Sequence, residues 1–170
     1  MLVPENSLVK IREDMPLDRA ALIGCGVTTG LGAALNTARV RAGSTVAVIG
    51  CGGVGLSIIQ GCRIAGAGRI IAVDTQDWKL ELARTVGATD GVSASAGDAV
   101  AQVIELTGGG VEQAFEAIGL NATVQQALAM TRKGGTAFMV GVLGIGENIE
   151  LPGFDVVINE KRIQGSMMGS

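Results

Sequence analysis

The chain has no histidine and no tyrosine, and only one tryptophan and three phenylalanines among 170 residues. So few aromatics do not suit a surface that stacks bases or sugars. They suit helices packed closely on a sheet, with many turns made of backbone alone. Charge is also sparse: 17% of residues are charged, the net is −3, and the lysines and arginines are scattered. That argues against nucleic acid as a partner, which asks for a concentrated basic face. No apolar run reaches the roughly 18 residues of a membrane span. The longest candidate, TAFMVGVLGIG, is short and broken by glycine. The amino-terminal MLVPENSLVKIRED lacks the basic-then-apolar order of a secretory signal. Cys25, Cys51 and Cys62 form neither a CxxC pair nor an even framework, so a reducing cytoplasm is the expected compartment.

What is present is apolar and glycine-rich: 48% hydrophobic residues and 27 glycines. That composition buries a real core, and the length is that of one ordinary domain. Along the chain, 8–11 (LVKI) reads as a short strand and 16–23 as a helix with proline in its first turn. After GCGVTTG, 31–43 reads as a second helix. Strand and helix then alternate: strands at 45–50, 69–74, 89–94, 111–119 and 135–142, helices at 54–67, 77–88, 98–109 and 121–135. Asp98 and Asn121 are the expected caps of the last two helices, and 148–170 should hold one or two short strands. Parallel strands need helical crossovers of this length. The expected fold is therefore α/β: a doubly wound, mostly parallel, six-stranded Rossmann sheet with helices on both faces and its ligand crevice at the switch point.

One loop carries chemistry. Thr45 to Gly55, TVAVIGCGGVG, is a strand running into GxGxxG at Gly50, Gly52 and Gly55. In isolation the motif is weak in so glycine-rich a chain, and a turn that merely needs glycines would match it. Here a strand precedes, an apolar helix follows, and Asp74 stands 19 residues beyond Gly55 at the end of the next strand. Gly50 permits the turn, Gly52 lets a pyrophosphate approach the backbone, and Gly55 lets helix and strand pack closely. Helix-start N–H groups, including that of Gly53, face the anion. The spacing is wrong for a methyltransferase-type GxGxG turn, because Val54 interrupts it. Asp74 would take the adenosine ribose hydroxyls and repel a 2′-phosphate, favouring NAD over NADP. Lys79 is a candidate for a ribose or phosphate contact and equally reads as a solvated helix lysine; Trp78 reads as surface cover.

The stretches GCGVTTGLGAALNTARVRAGSTVAVIGCGGVG, RIIAVDTQDWKLELARTVGATD, FEAIG and KRIQGSMMGS resemble the coenzyme domain of zinc-dependent, medium-chain alcohol dehydrogenases. The likeness is to the class III branch, which includes thiol-dependent formaldehyde dehydrogenases, and runs over almost the whole chain. It implies that 1–24 is a connecting segment, a strand plus a helix from the catalytic-domain side, and that 25–170 is the NAD-binding Rossmann domain. It implies that Cys25 is one ligand of a catalytic zinc, with Thr29 against the nicotinamide and Val54 on the ring's other face. Asp74 and Lys79 would meet the adenosine ribose, and Ile118 the adenine. Val140, Val142, Ser166 and Met168 would meet the nicotinamide end. Without the resemblance, Cys25 reads as a small buried residue, as Cys51 does, and Cys62 reads as core.

The resemblance also implies what lies elsewhere. The other zinc ligands, the structural zinc lobe and the pocket for a small alcohol or aldehyde belong to a catalytic domain not in this chain. A histidine proton relay cannot run here. NAD would be the cofactor, zinc would belong only to the full-length enzyme, and the chain alone would not turn over alcohol. Relatives dimerise at the sheet edge matching 148–165, so a homodimer is expected, along with bared apolar surface at Leu31, Ala34 and Leu35. Two other readings stay open: a non-catalytic NAD-binding module, and a domain of a zinc-free, NADPH-dependent quinone-reductase-like enzyme.

Overall fold

The computed structural model describes Leu2 to Ser170. Six strands form one all-parallel sheet in the order β3-β2-β1-β4-β5-β6. They are β1 Thr45–Ile49, β2 Arg69–Asp74, β3 Asp90–Ser93, β4 Val111–Glu116, β5 Thr131–Met139 and β6 Arg162–Gly165. The order reverses between β1 and β4, which opens a crevice at their carboxyl ends. The helices are α1 Leu17–Leu22, α2 Thr28–Gly32, α3 Gly53–Ile64, α4 Asp77–Val86, α5 Ala99–Thr107, α6 Asn121–Met130 and α7 Gly153–Ile158. The expected doubly wound fold is thus the fold observed.

The central strands are covered on both faces, which is why TVAVI and RIIAVD are apolar at nearly every position. Side-chain alternation splits them between two cores. Val46, Val48, Ile70 and Ala72 pack with Ile58, Ile59 and Phe115 beneath the α2–α3 layer. Ala47, Ile49, Ile71 and Val73 pack with Val103, Ala127 and Leu128 beneath α5 and α6. Asp98 caps α5 as expected, accepting N–H bonds from Val100 and Ala101 at 2.9 and 3.1 Å.

Several local expectations fail, each for a physical reason. No strand forms at 8–11, where Leu8, Val9 and Ile11 are exposed, because no neighbouring strand offers a ladder. GCGVTTG is no break: one helical rod of 21 residues runs Leu17–Thr37, with wide π turns at Ile23–Val27 and Ala33–Thr37. The rod passes through the 24/25 position taken above as a segment boundary. By length and composition it could also cross a membrane, so the longest apolar element lies here and not at 136–146. Its inner face, Thr29, Gly30, Ala33 and Ala34, is buried, and α2 lies on α3 at backbone distance. A Cβ on Gly30 would sit 2.4 Å from the Ser57 Cβ and 2.5 Å from the Val54 carbonyl oxygen, so only glycine fits that crossing. Ala34, expected to be bared, is fully buried; Leu31 is half-buried and Leu35 exposed.

Asn121 does not cap α6. Its Oδ1 accepts the Glu150 N–H at 3.2 Å instead, and the cap position is Leu120. The helix stops at Met130 and TRKG joins β5, while FDVVI of the last segment forms α7 and only RIQG a strand.

The outer strand β3 is tied down by a bidentate ion pair. Arg69 Nε and Nη2 donate to the two Asp90 carboxylate oxygens, each at 2.8 Å, and Arg69 also donates to the Leu106 carbonyl at the end of α5. The guanidinium holds the Asp90 carboxyl down at about 2, with the Thr89 hydroxyl helping. A depressed folded value contributes stability above the ordinary carboxyl range near 4 and loses it as pH falls toward 2. Arg69→Met should therefore cost about 1 kcal/mol in urea unfolding near neutral pH, and the gap to the parent should close near pH 2. A gap that persists at low pH would contradict this.

Candidate cofactor site

The crevice is built where β1 runs out. A Cβ on Gly55 would lie 1.8 Å from the Gly50 carbonyl oxygen, so the first turn of α3 can sit on the end of β1 only without one. Gly50 itself turns the chain at φ +92°. Gly52 and Gly53 differ: a Cβ on either meets nothing within 4 Å, and both residues are exposed. The fold does not need glycine at 52, whose φ of −81° any residue adopts. What glycine leaves there is open room over the amino terminus of α3, where unpaired N–H groups favour an anion.

Asp74, at the end of β2, is buried with 8% of its surface exposed. Its Oδ2 accepts the Cys51 N–H at 2.8 Å and its Oδ1 the Gln76 N–H at 3.0 Å. The carboxylate thus pins the glycine loop of one strand to the end of the next. Lys79 Nζ approaches Asp74 Oδ2 at 3.8 Å and lies 5.7 Å above the ring of the exposed Trp78. Cys51 is buried beneath the loop. Burial, with the Asp74 charge second, pushes its thiol up to about 12, so it is not a nucleophile. Cys62 is core, its thiol likewise raised to about 12 by burial.

The remaining candidates form two groups. Ile118 lies across the switch point, its Cγ1 2.6 Å from where a Gly50 Cβ would stand. Val142 presents its carbonyl oxygen to Gly119, and Val140 closes β5 with its N–H on the Glu116 carbonyl at 2.9 Å. The second group gathers on the long helix. Ser166 Oγ lies 2.9 Å from Thr37 Oγ1, and Thr29 Oγ1 lies 3.9 Å from Met168 Sδ. Val54 sits beside Gly30, next to Thr29. Cys25 is exposed rather than buried, and lies four residues before Thr29 on the same helical rod.

Glu116 escaped the sequence reading. It ends β4 as Asp74 ends β2, an acid closing an apolar strand, which is the signal that could have marked it. It is fully buried, and its Oε1 accepts from the N–H groups of Ile118 and Gly119 and from Thr123 Oγ1 at 2.7 to 2.8 Å. Its Oε2 has no hydrogen-bond partner. Two carboxylates therefore flank β1, one holding the glycine loop and the other the Ile118 wall.

These residues fit a dinucleotide: an open cradle over a helix start, an apolar wall, and a buried carboxylate beside it. They do not make a zinc site, because no group of three or more Cys, Asp or Glu side chains that could hold a metal occurs among the described residues.

Known proteins agree with this geometry. The sequence profile described as zinc-binding dehydrogenase matches residues 53–170. The chain belongs to the zinc-binding dehydrogenase family. It is 46% identical over 162 residues to alcohol dehydrogenase class-3 of Drosophila melanogaster, covering 92% of this chain and 43% of that protein. It is 44% identical over 163 residues to an S-(hydroxymethyl)glutathione dehydrogenase of a Synechocystis strain, covering 94% and 44%. A crystal structure of a putative zinc-binding dehydrogenase from Sinorhizobium meliloti, bound to NADP, superposes with a TM-score of 0.80 at 37% identity, over 85% of this chain and 43% of that one. The chain thus spans less than half the length of these relatives, and corresponds to their dinucleotide-binding part.

The two loop glycines separate fold from function. Gly55→Ala should cost more than about 2 kcal/mol, since backbone must move. Gly52→Ala should leave the thermal midpoint nearly unchanged, within about 0.5 kcal/mol of stability, while weakening dinucleotide binding about tenfold or more. Equal effects of the two on melting would refute the assignment of open room to the ligand.

Proposed function

We propose that this chain binds NAD and presents its nicotinamide for hydride transfer in a zinc-dependent dehydrogenase of small alcohols or of formaldehyde–thiol adducts. The observation that carries the reading is Asp74: a buried carboxylate, fixed by two loop N–H bonds, at the mouth of the open glycine cradle. Ribose hydroxyls can donate to it. A 2′-phosphate a few ångströms away would instead be repelled by on the order of a few kcal/mol at an effective dielectric near 20. Lys79, 3.8 Å from the carboxylate, offsets part of that, and the NADP-bound relative marks the preference as the point to test.

In this reading Gly50, Gly52, Gly53 and Gly55 cradle the pyrophosphate, and Ile118 flanks the adenine. Thr29, Val54, Val140, Val142, Ser166 and Met168 border the nicotinamide end. Residues 25–170 are the cofactor domain, and 1–24 lead in from the catalytic side. Cys25, exposed and without a metal-binding neighbour set, gives one zinc ligand to a centre whose other ligands lie outside this chain. The chain's own contribution is to hold, orient and discriminate the cofactor, and no alcohol turnover is expected from it alone. A non-catalytic NAD-binding module is the second reading, favoured by that same lack of a metal-binding cluster among the described residues. The cytoplasm is the proposed compartment.

Self-association through the β6 edge belongs to the same proposal. β6 pairs with β5 only, and Phe154, Val157 and Ile158 of α7 beside it are exposed. A monodisperse monomer by light scattering contradicts a dimer.

Calorimetric titration tests the cofactor assignment. NAD should bind at least about tenfold more tightly than NADP, and Asp74→Asn, which keeps a hydrogen-bond acceptor, should narrow that ratio without unfolding the chain. Asp74→Gly should lose NAD binding. Preference for NADP in the parent chain sinks the NAD assignment, and binding of neither sinks the autonomous module.

A further inference from the structure

A second cavity lies away from the cofactor crevice. It opens at the opposite, amino-terminal edge of the sheet, with a volume of about 790 Å³, which is the size range of small-molecule sites. Ser44 lines it just before β1, and Gly50 turns into the cofactor loop just after β1. Five residues of strand therefore separate the two sites, roughly 16 Å at about 3.3 Å per residue.

The cavity gathers arginines from three separate parts of the chain. Arg39 and Arg41 come from the link between the long helix and β1, Arg132 from the start of β5, and Arg162 from the start of β6; Glu112 is the one acid in the lining. That acid is already engaged. Its Oε1 takes Arg132 Nη2 at 3.1 Å and its Oε2 the Thr45 N–H at 2.9 Å, and these bonds hold its carboxyl below the ordinary value. Arg39, Arg41 and Arg162 enter none of the ion pairs among the described residues. In a chain of net charge −3, one cavity thus carries four arginines against one spent carboxylate. Phe138, buried and stacked on Phe115 with ring centroids 5.2 Å apart, gives the lining a rigid apolar part.

Arg39, Arg41 and Arg162 are exposed, line one cavity and have no carboxylate partner among the described residues, so an anion entering it would meet three free guanidiniums. Each offers a planar fork that matches phosphate oxygens in pairs. We propose that this cavity is a second ligand site, independent of the dinucleotide crevice, for a small polyphosphate-bearing molecule. The arginines hold the phosphates, and the ligand bridges the link before β1 and the starts of β5 and β6, drawing on Arg39, Arg41 and Arg162, which enter no ion pair among the described residues.

Sodium tripolyphosphate is the probe, titrated calorimetrically into the 170-residue chain saturated with NAD and again without NAD, at low ionic strength. One binding event should appear with NAD present, and Arg41→Gln combined with Arg162→Gln should weaken it at least about tenfold while NAD affinity and the thermal midpoint stay as in the parent. No heat in either titration overturns the proposal, and so does binding that is indifferent to the two arginine substitutions. Binding of an octaglutamate peptide where tripolyphosphate fails also overturns it, and assigns the cavity to an acidic stretch of polypeptide. Because the readout is the arginine dependence, failure of NAD to bind is recorded separately and leaves this test intact.

Discussion

The approach of Gly55 to the carbonyl oxygen of Gly50 sets the rest of the site. With no Cβ at 55, which would lie 1.8 Å from that oxygen, α3 begins directly on the end of β1. That puts the free N–H groups of its first turn over the space left at Gly52 and Gly53. The loop so formed is held from the side by the neighbouring strand, through the Asp74 carboxylate on the Cys51 N–H. That carboxylate also accepts the Gln76 N–H, so it is fixed at the mouth of the loop. On the other flank, Glu116 does the same for the wall at Ile118 and Gly119. The crevice is prepared by the fold before any ligand arrives.

The same economy of side chains shapes the helix layer. Gly30 lets the long rod lie on α3 at backbone distance, and the carboxyl-terminal residues then lie against that rod. Asn36 Nδ2 donates to the Gly169 carbonyl at 2.9 Å, and Thr37 Oγ1 meets Ser166 and Ser170. Few aromatics are needed because so many contacts are backbone against backbone. The composition that excluded stacking surfaces is thus the composition this packing requires.

The sheet was readable in the sequence because strands buried on both faces are apolar throughout, and because the helix between each pair has its own period. The glycine loop and Asp74 were readable because strand, turn, helix and acid fall at one spacing. Other features were hidden for definite reasons. Leu8 to Ile11 look like a strand, but a strand exists only where another pairs with it. GCGVTTG looks like a break, yet wide helical turns and the close crossing at Gly30 carry the helix through its glycines. Asn121 has the right residue type for a cap, and a tertiary bond to Glu150 takes its side chain away. Glu116 gave a faint signal, and the arginine cavity none, since the link bearing Arg39 and Arg41 is far in sequence from Arg132 and Arg162, and only the sheet order brings them to one cavity.

The most direct test of the account is a crystal structure of this chain with NAD bound. The account predicts the pyrophosphate over the N–H groups at Gly52 and Gly53, and both adenosine ribose hydroxyls within hydrogen-bond reach of Asp74. NAD seated away from the β1–β4 switch point, or a loop in which Asp74 has released the Cys51 N–H and faces away from the ribose, would contradict it.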